Sequence, residues 1–156
     1  MAKYEEVEIK LHVRSLDAVR QRLEAIGANL KKPRVYERNV RYDDDRRTLS
    51  RQNRVLRLRQ DERVRLTYKD ESGTDSGNNS NDARSRFEAE VEVSDFEAME
   101  TIIDRLGFHP YMVYEKYRTT YELDDAEIVL DEMPFGQFVE IEGEAETIKS
   151  IRQRLG

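Results

Sequence analysis

Cysteine is absent from this sequence, which excludes a disulfide framework, a thiolate metal site and a cysteine nucleophile. Histidine is nearly absent: His12 and His109 stand far apart and give little support to an imidazole-based metal centre. No apolar run approaches the ~20 residues of a membrane-spanning helix, and the opening Met-Ala-Lys-Tyr-Glu-Glu lacks the apolar core of a signal peptide. The expectation is a cytoplasmic protein without a membrane partner. A glycine-rich phosphate loop is missing as well, because the stretch from Gly73 to Gly77 lacks both the Lys-Ser/Thr ending and the strand-to-helix setting. Nor is there an excess of positive charge. The 33 acidic against 27 basic residues leave −6, a poor balance for a general nucleic-acid binder, although a basic cavity can hide inside an acidic total.

What the chain does have is charge of both signs. Charged residues make up 38% of it, well above the usual share of about 25%. Such a composition is compatible with disorder, but the apolar residues recur at regular spacings, which requires a packed fold. The 156 residues suit a single domain, 1–156, with one core.

From Tyr4 to Val13 the pattern alternates strictly, with Val7, Ile9, Leu11 and Val13 opposite Glu6, Glu8, Lys10 and His12. Ser15 then reads as the N-cap of a helix through Leu16, Val19, Leu23 and Ile26, ended by Gly27. Strands are expected over Val35–Tyr42, Val55–Gln60, Arg63–Lys69, Arg86–Val93, Val113–Leu123, Glu127–Met133 and Phe138–Glu142, with a polar turn around Asp43–Arg47. Ser94 or Asp95 starts a second helix through Phe96, Met99, Ile102, Ile103 and Leu106, ended by Gly107, and a third spans about Ala145–Leu155. The Ser-, Gly-, Asn- and Asp-rich stretch Asp70–Ser85 reads as a mobile loop and a candidate lid. An internal echo is visible: Glu-x-Glu strand, helix and terminal Gly occur at Glu6–Gly27 and again at Glu88–Gly107. It predicts a two-fold arrangement in an antiparallel α+β fold, each half of the sheet covered by one helix.

The wet faces of these strands carry whole rows of ionised groups. Arg57 and Arg59 alternate with Leu56 and Leu58; Arg65, Thr67 and Lys69 with Val64, Leu66 and Tyr68. Glu88, Glu90 and Glu92 share one face of their strand, as do Lys116 and Arg118, and Glu140 and Glu142. A solvated surface with cross-strand ion pairs explains any single row, each pair contributing under about 1 kcal/mol. Taken together, like-charge rows repel unless opposite rows face them, and that favours a sheet curled into a barrel with a charged interior and helices outside. Such an interior complements a phosphate chain with a divalent ion, and oxygen-only donors favour Mg²⁺ or Mn²⁺.

The motifs resemble those of the CYTH superfamily, the triphosphate tunnel metalloenzymes. Glu6-Val7-Glu8-Ile9-Lys10 is similar to its N-terminal Glu-x-Glu-x-Lys signature, Val55–Arg59 to its Leu-Arg-x-Arg strand, and Leu66–Lys69 to the lysine strand that follows. Arg86–Glu90 resembles the Arg-x-Glu-x-Glu strand, Tyr114–Arg118 the Lys-x-Arg strand, and Leu130-Asp131 through Phe138–Gly143 the closing hairpin. The resemblance implies a closed eight-stranded antiparallel barrel acting on a triphosphate, as a hydrolase of inorganic tripolyphosphate, thiamine triphosphate or a nucleoside triphosphate. It equally admits a class IV adenylate cyclase or a barrel that binds polyphosphate or nucleotide without reacting.

Position by position, the resemblance implies Glu6, Glu8, Glu88, Glu90, Asp131, Glu140 and Glu142 as metal carboxylates. It implies Lys10, Arg57, Arg59, Lys69, Arg86, Lys116 and Arg118 as phosphate ligands, with Glu8, Lys69 and Lys10 closest to the chemistry. His12 is expected at the tunnel rim, and Tyr114, Tyr117 and Tyr121 on the exterior. Relatives commonly continue some tens of residues past the last helix, so the resemblance implies a more open tunnel end or a longer chain. Monomer and homodimer are both compatible with it.

Overall fold

The computed structural model describes residues 5–72 and 84–156 and, within them, the side chains of all but Glu5, Glu6, Arg84 and Ser85. The order is β1 (Glu5–Val13), α1 (Leu16–Ala25), β2 (Asn29–Asp43), α2 (Thr48–Arg51), β3 (Val55–Gln60), β4 (Val64–Asp70), β5 (Arg84–Val93), α3 (Phe96–Arg105), β6 (His109–Leu123), β7 (Ala126–Met133), β8 (Gly136–Glu142) and α4 (Ala145–Leu155). The eight strands form one antiparallel sheet whose neighbours run β1-β5-β4-β3-β2-β6-β7-β8, a barrel order that returns to β1. The seam at β1 is divided. Glu8–Val13 pair with β8, and only Glu5–Glu8 pair with β5.

The internal echo has a structural counterpart: β1 lies beside β5 and β2 beside β6, so the two strand–helix–strand units pair antiparallel. Both helices start alike. The Ser15 side chain accepts from the Ala18 N–H, and that of Asp95 from the Ala98 N–H. Both units also turn back through a left-handed glycine, Gly27 at φ 90° and Gly107 at φ 101°.

Period-two alternation sends apolar side chains outward and charged ones inward. Ile9, Ile128, Leu130, Tyr121 and Ile141 meet Leu16 and Leu23 of α1 and Ile148 and Ile151 of α4 in one outer core. Val40, Tyr42 and Leu58 meet Ile103 of α3 in a second, with Phe96 and Met99 packed against it. The helices therefore cover the sheet from outside, two over one half and one over the other. Burying each such Leu or Ile contributes about 1.5–3 kcal/mol.

Three elements differ from the sequence expectation. β2 begins at Asn29 rather than Val35, because register shifts between Leu30, Lys32 and Val35 break the alternation, and Pro33 sits where β2 pairs with β6 alone. β6 begins at His109 rather than Val113. The polar turn after Tyr42 leads into the short helix α2, whose Leu49 and Ser50 N–H groups donate to buried Asp43. The expected lid over Asp70–Ser85 falls mostly outside the described residues. Among the described residues, no helix is long and apolar enough to cross a membrane.

Candidate active site

The inward faces surround a cavity of about 1040 Å³. Nine basic side chains line it against six acidic ones, so a chain of net charge −6 encloses a basic interior. Lys10, Arg57, Arg59, Lys69, Arg86, Lys116 and Arg118 all reach its wall, as do Glu8, Glu88, Glu90, Glu140 and Glu142. The side chain of Glu6 lies outside the described residues; its backbone pairs with Arg86.

Cations dominate the middle of the cavity. Arg59 donates from Nε to Asn39 at 2.8 Å and lies 3.0 Å from Glu37, a carboxylate only 1% exposed. Lys116 lies 3.7 Å from the same carboxylate and donates to Asp131 at 3.0 Å. Burial opposes the ionised form of Glu37, but Arg59, Arg118 and Lys116 outweigh it and hold the carboxyl below its ordinary range. Arg59 itself is lowered to about 10, by burial first and then by Arg57 and Arg118. It remains charged at neutral pH.

Further along the wall, Arg41 stands directly opposite Arg57 in the β2–β3 ladder. The Nε–H groups of Arg41, Arg57, Arg65 and Arg86 are buried and meet no protein acceptor. Buried donors of this kind cost free energy unless something accepts from them. The four residues all line the one cavity, a wall suited to an anionic partner with several oxygens.

The expected metal carboxylates separate into three settings. Asp131 is fully buried and is not among the residues that line the cavity. Arg118 donates to it from Nε and Nη2 at 2.7 and 2.8 Å, and Lys116 donates at 3.0 Å. Burial alone would raise its pKa, yet Arg118 and Lys116 keep it well below the carboxylate range. Glu140 likewise accepts from Arg118 at 2.8 Å, and Glu90 accepts from Thr67 at 3.0 Å.

Glu8, Glu88 and Glu142 form the third setting, joined by Glu127, which the sequence reading had not assigned. Glu142 stands opposite Glu8 on one side and opposite Glu127 on the other. The surrounding walls, then Glu88, Glu127 and Glu8, push Glu142 up to about 7, with Lys69 opposing. Lys69 lies 3.4 Å from Glu88. Among the described residues no three carboxylates or imidazoles are gathered as a ready-made metal site. The donor set nevertheless fits a hard divalent cation: it is all oxygen, and beyond the effect of burial Glu88, Glu127 and Glu8 raise Glu142 through negative charge that a cation would neutralise.

Tyr114 points into the cavity, not outward as expected. It shares strand parity with Lys116 and Arg118, a signal legible in the sequence. Burial resists its ionisation, but Arg57, Lys116 and Arg59 lower its pKa. Tyr117 and Tyr121 face outward, the first exposed and the second buried in the outer core. Glu37, Asn39 and Arg41 were also missed, although their alternation with Arg38, Val40 and Tyr42 marks one face of β2.

The CYTH domain family matches residues 5–153. The chain belongs to this family. Members of the CYTH family act on triphosphates, as triphosphatases or adenylate cyclases, and generally depend on a divalent metal. A Methanocaldococcus jannaschii protein named "Putative adenylate cyclase" is 28% identical over 139 residues, which is 88% of this chain and 75% of that one. Among solved structures, the PH1012 protein of Pyrococcus horikoshii superposes with a TM-score of 0.79 at 24% identity, over 97% of this chain and 90% of that one. The Hippeastrum adenylyl cyclase-named protein reported to reveal a dominant triphosphatase activity has a TM-score of 0.68 at 20% identity, over 95% and 84% of the two chains.

Proposed function

We propose that this CYTH protein hydrolyses a triphosphate, with a divalent cation, inside a tunnel closed by the β1 seam. The supporting observation is the pairing of a basic wall and a carboxylate cluster in one cavity. Arg41, Arg57, Arg65 and Arg86 line it with no acceptor at their Nε–H groups, while, beyond the effect of burial, Glu88, Glu127 and Glu8 raise Glu142 even with Lys69 beside Glu88 and Lys31 beside Glu127. A polyphosphate answers the first and Mg²⁺ or Mn²⁺ the second.

In this reading Arg57, Arg59, Lys116 and Arg118 hold the phosphate oxygens, with Asp131 and Glu37 fixing the cations from behind. Their side chains are largely buried and already oriented, so charge developing on the transferred phosphoryl group meets donors that need not reorganise. Glu8, Glu88, Glu142 and Glu127 would hold the divalent ion, which when bound neutralises phosphate charge and acidifies water. Lys69, beside Glu88, completes the junction between the acidic and basic zones. Lys10 lines the same cavity, its Nζ 4.9 Å from the centre of the Phe138 ring.

Cyclisation of ATP is the second reading, favoured by the name of the Methanocaldococcus jannaschii relative. The two reactions differ in nucleophile, water or the substrate's own hydroxyl. Incubation with tripolyphosphate, thiamine triphosphate and ATP, each with Mg²⁺ or Mn²⁺, followed by product identification, separates them. Phosphate release supports hydrolysis, cyclic AMP with pyrophosphate replaces it by cyclisation, and no product from any combination rejects both.

A further inference from the structure

One facing pair of cations in the cavity wall has no carboxylate. Arg41 stands between Val40 and Tyr42, both 1% exposed and packed in the outer core with Ile103 of α3. The Tyr42 hydroxyl donates to Glu100 of α3 at 2.8 Å, so alternation commits Arg41 to the cavity. There it stands directly opposite Arg57 in the β2–β3 ladder. The row is neutral on either side, with Met112 paired to Arg41 on β6 and Thr67 paired to Arg57 on β4. Adjoining cations have acid partners: Arg59 has Glu37, while Lys116 and Arg118 have Asp131. Among the described residues Arg41 and Arg57 form no salt bridge, and the Nε–H of each is buried without an acceptor.

Like charges set directly opposite on neighbouring strands repel. Nothing nearby offsets that repulsion. Arg57 donates to the neutral Tyr114 hydroxyl. The Arg41 guanidinium lies 5.5 Å from the centre of the Tyr111 ring, and that of Arg47 lies 4.6 Å from the same centre. The ring thus brings a third cation near the pair rather than a counter-charge. A fold keeps such a local conflict where function uses it, and here the missing element is an anion. A phosphoryl group at the end of a polyphosphate chain carries about two negative charges near pH 7, against about one for a group within the chain.

Resting on the triphosphate reading above, we infer that Arg41 is a specificity-determining residue: with Arg57 it seats the terminal phosphoryl group of the substrate and reads its second negative charge. Two facing guanidinium groups present several N–H donors to one phosphate, and their combined charge matches a terminal group better than an internal one.

The test reads binding by isothermal titration, with Mg²⁺, for β,γ-imido ATP and for its γ-methyl ester, which keeps the chain and removes one terminal charge. The parent protein should prefer the unesterified compound by about tenfold or more. Arg41→Met should weaken binding of that compound about ten- to hundredfold and leave the ester within about twofold. Arg41→Lys, which keeps the charge, should recover part of the preference. The ligand-free melting temperature of Arg41→Met should equal or exceed that of the parent, since one of two facing like charges is gone. A marked fall in it would make Arg41 a structural residue and overturn the inference. Equal affinity of the parent for the two compounds, or equal losses for both in Arg41→Met, also overturns it while leaving the triphosphate reading intact. Absence of parental binding to β,γ-imido ATP and to tripolyphosphate overturns both.

Discussion

At the scale of single residues, the same kind of side chain has opposite roles according to its neighbours. Asp131 is surrounded by cations and Glu142 by carboxylates, so burial is overcome at the first and reinforced at the second. For Glu142 the folded pKa, about 7, lies above its ordinary 4.5, so the metal-free fold holds the proton more tightly than the unfolded chain. That contribution is full at pH below the ordinary value and is lost as pH rises through about 7. In chelator, the melting temperature should therefore fall between about pH 5 and 8, by a modest amount because Glu142 is open to cavity water. Glu142→Gln should flatten this slope; an unchanged slope would assign it elsewhere. Asp131→Asn leaves Lys116 and Arg118 short of their buried counter-charge and should cost about 3–5 kcal/mol in urea unfolding. Exposed Glu132, paired with Arg34, should be replaceable by Gln without measurable loss.

Elements show the same dependence on context. α1 and α3 are short, and neither would persist alone. Packing against the outer cores supplies most of their stability, and the side-chain caps add the rest. Ser15→Ala and Asp95→Ala should each cost about 0.5–2 kcal/mol. Because the two caps belong to different outer cores, the double variant should lose nearly the sum, as read by thermal or urea denaturation. Strong coupling between them would mean that the two halves of the sheet communicate through the barrel. Such elements were largely readable in advance, since caps, terminal glycines and apolar periodicity are local signals. β2 was shortened in that reading for the converse reason: bulges and Pro33 hide a strand whose existence depends on its long pairing with β6.

For the whole molecule the decisive property is charge separated by a wall: an acidic exterior around a basic interior. Tripolyphosphate with Mg²⁺ should raise the melting temperature, and a ligand at a hundred times its Kd stabilises by about 2.7 kcal/mol. Arg57→Ala should abolish that shift while leaving the ligand-free melting temperature close to that of the parent. Glu8→Ala should retain the fold, by circular dichroism, and lose turnover; parental turnover in it would remove Glu8 from the metal set. The sequence by itself determined which side chains share a strand face, because alternation is a property of adjacent residues. It thereby supplied the eight strands, the side-chain caps of α1 and α3 and most of the charged part of the cavity wall. Only the tertiary structure decided which faces meet. It set Asp131 behind Arg118, brought Glu127 beside Glu142 and turned Phe135 towards the cavity, since register between strands is chosen by packing and pairing across the whole sheet.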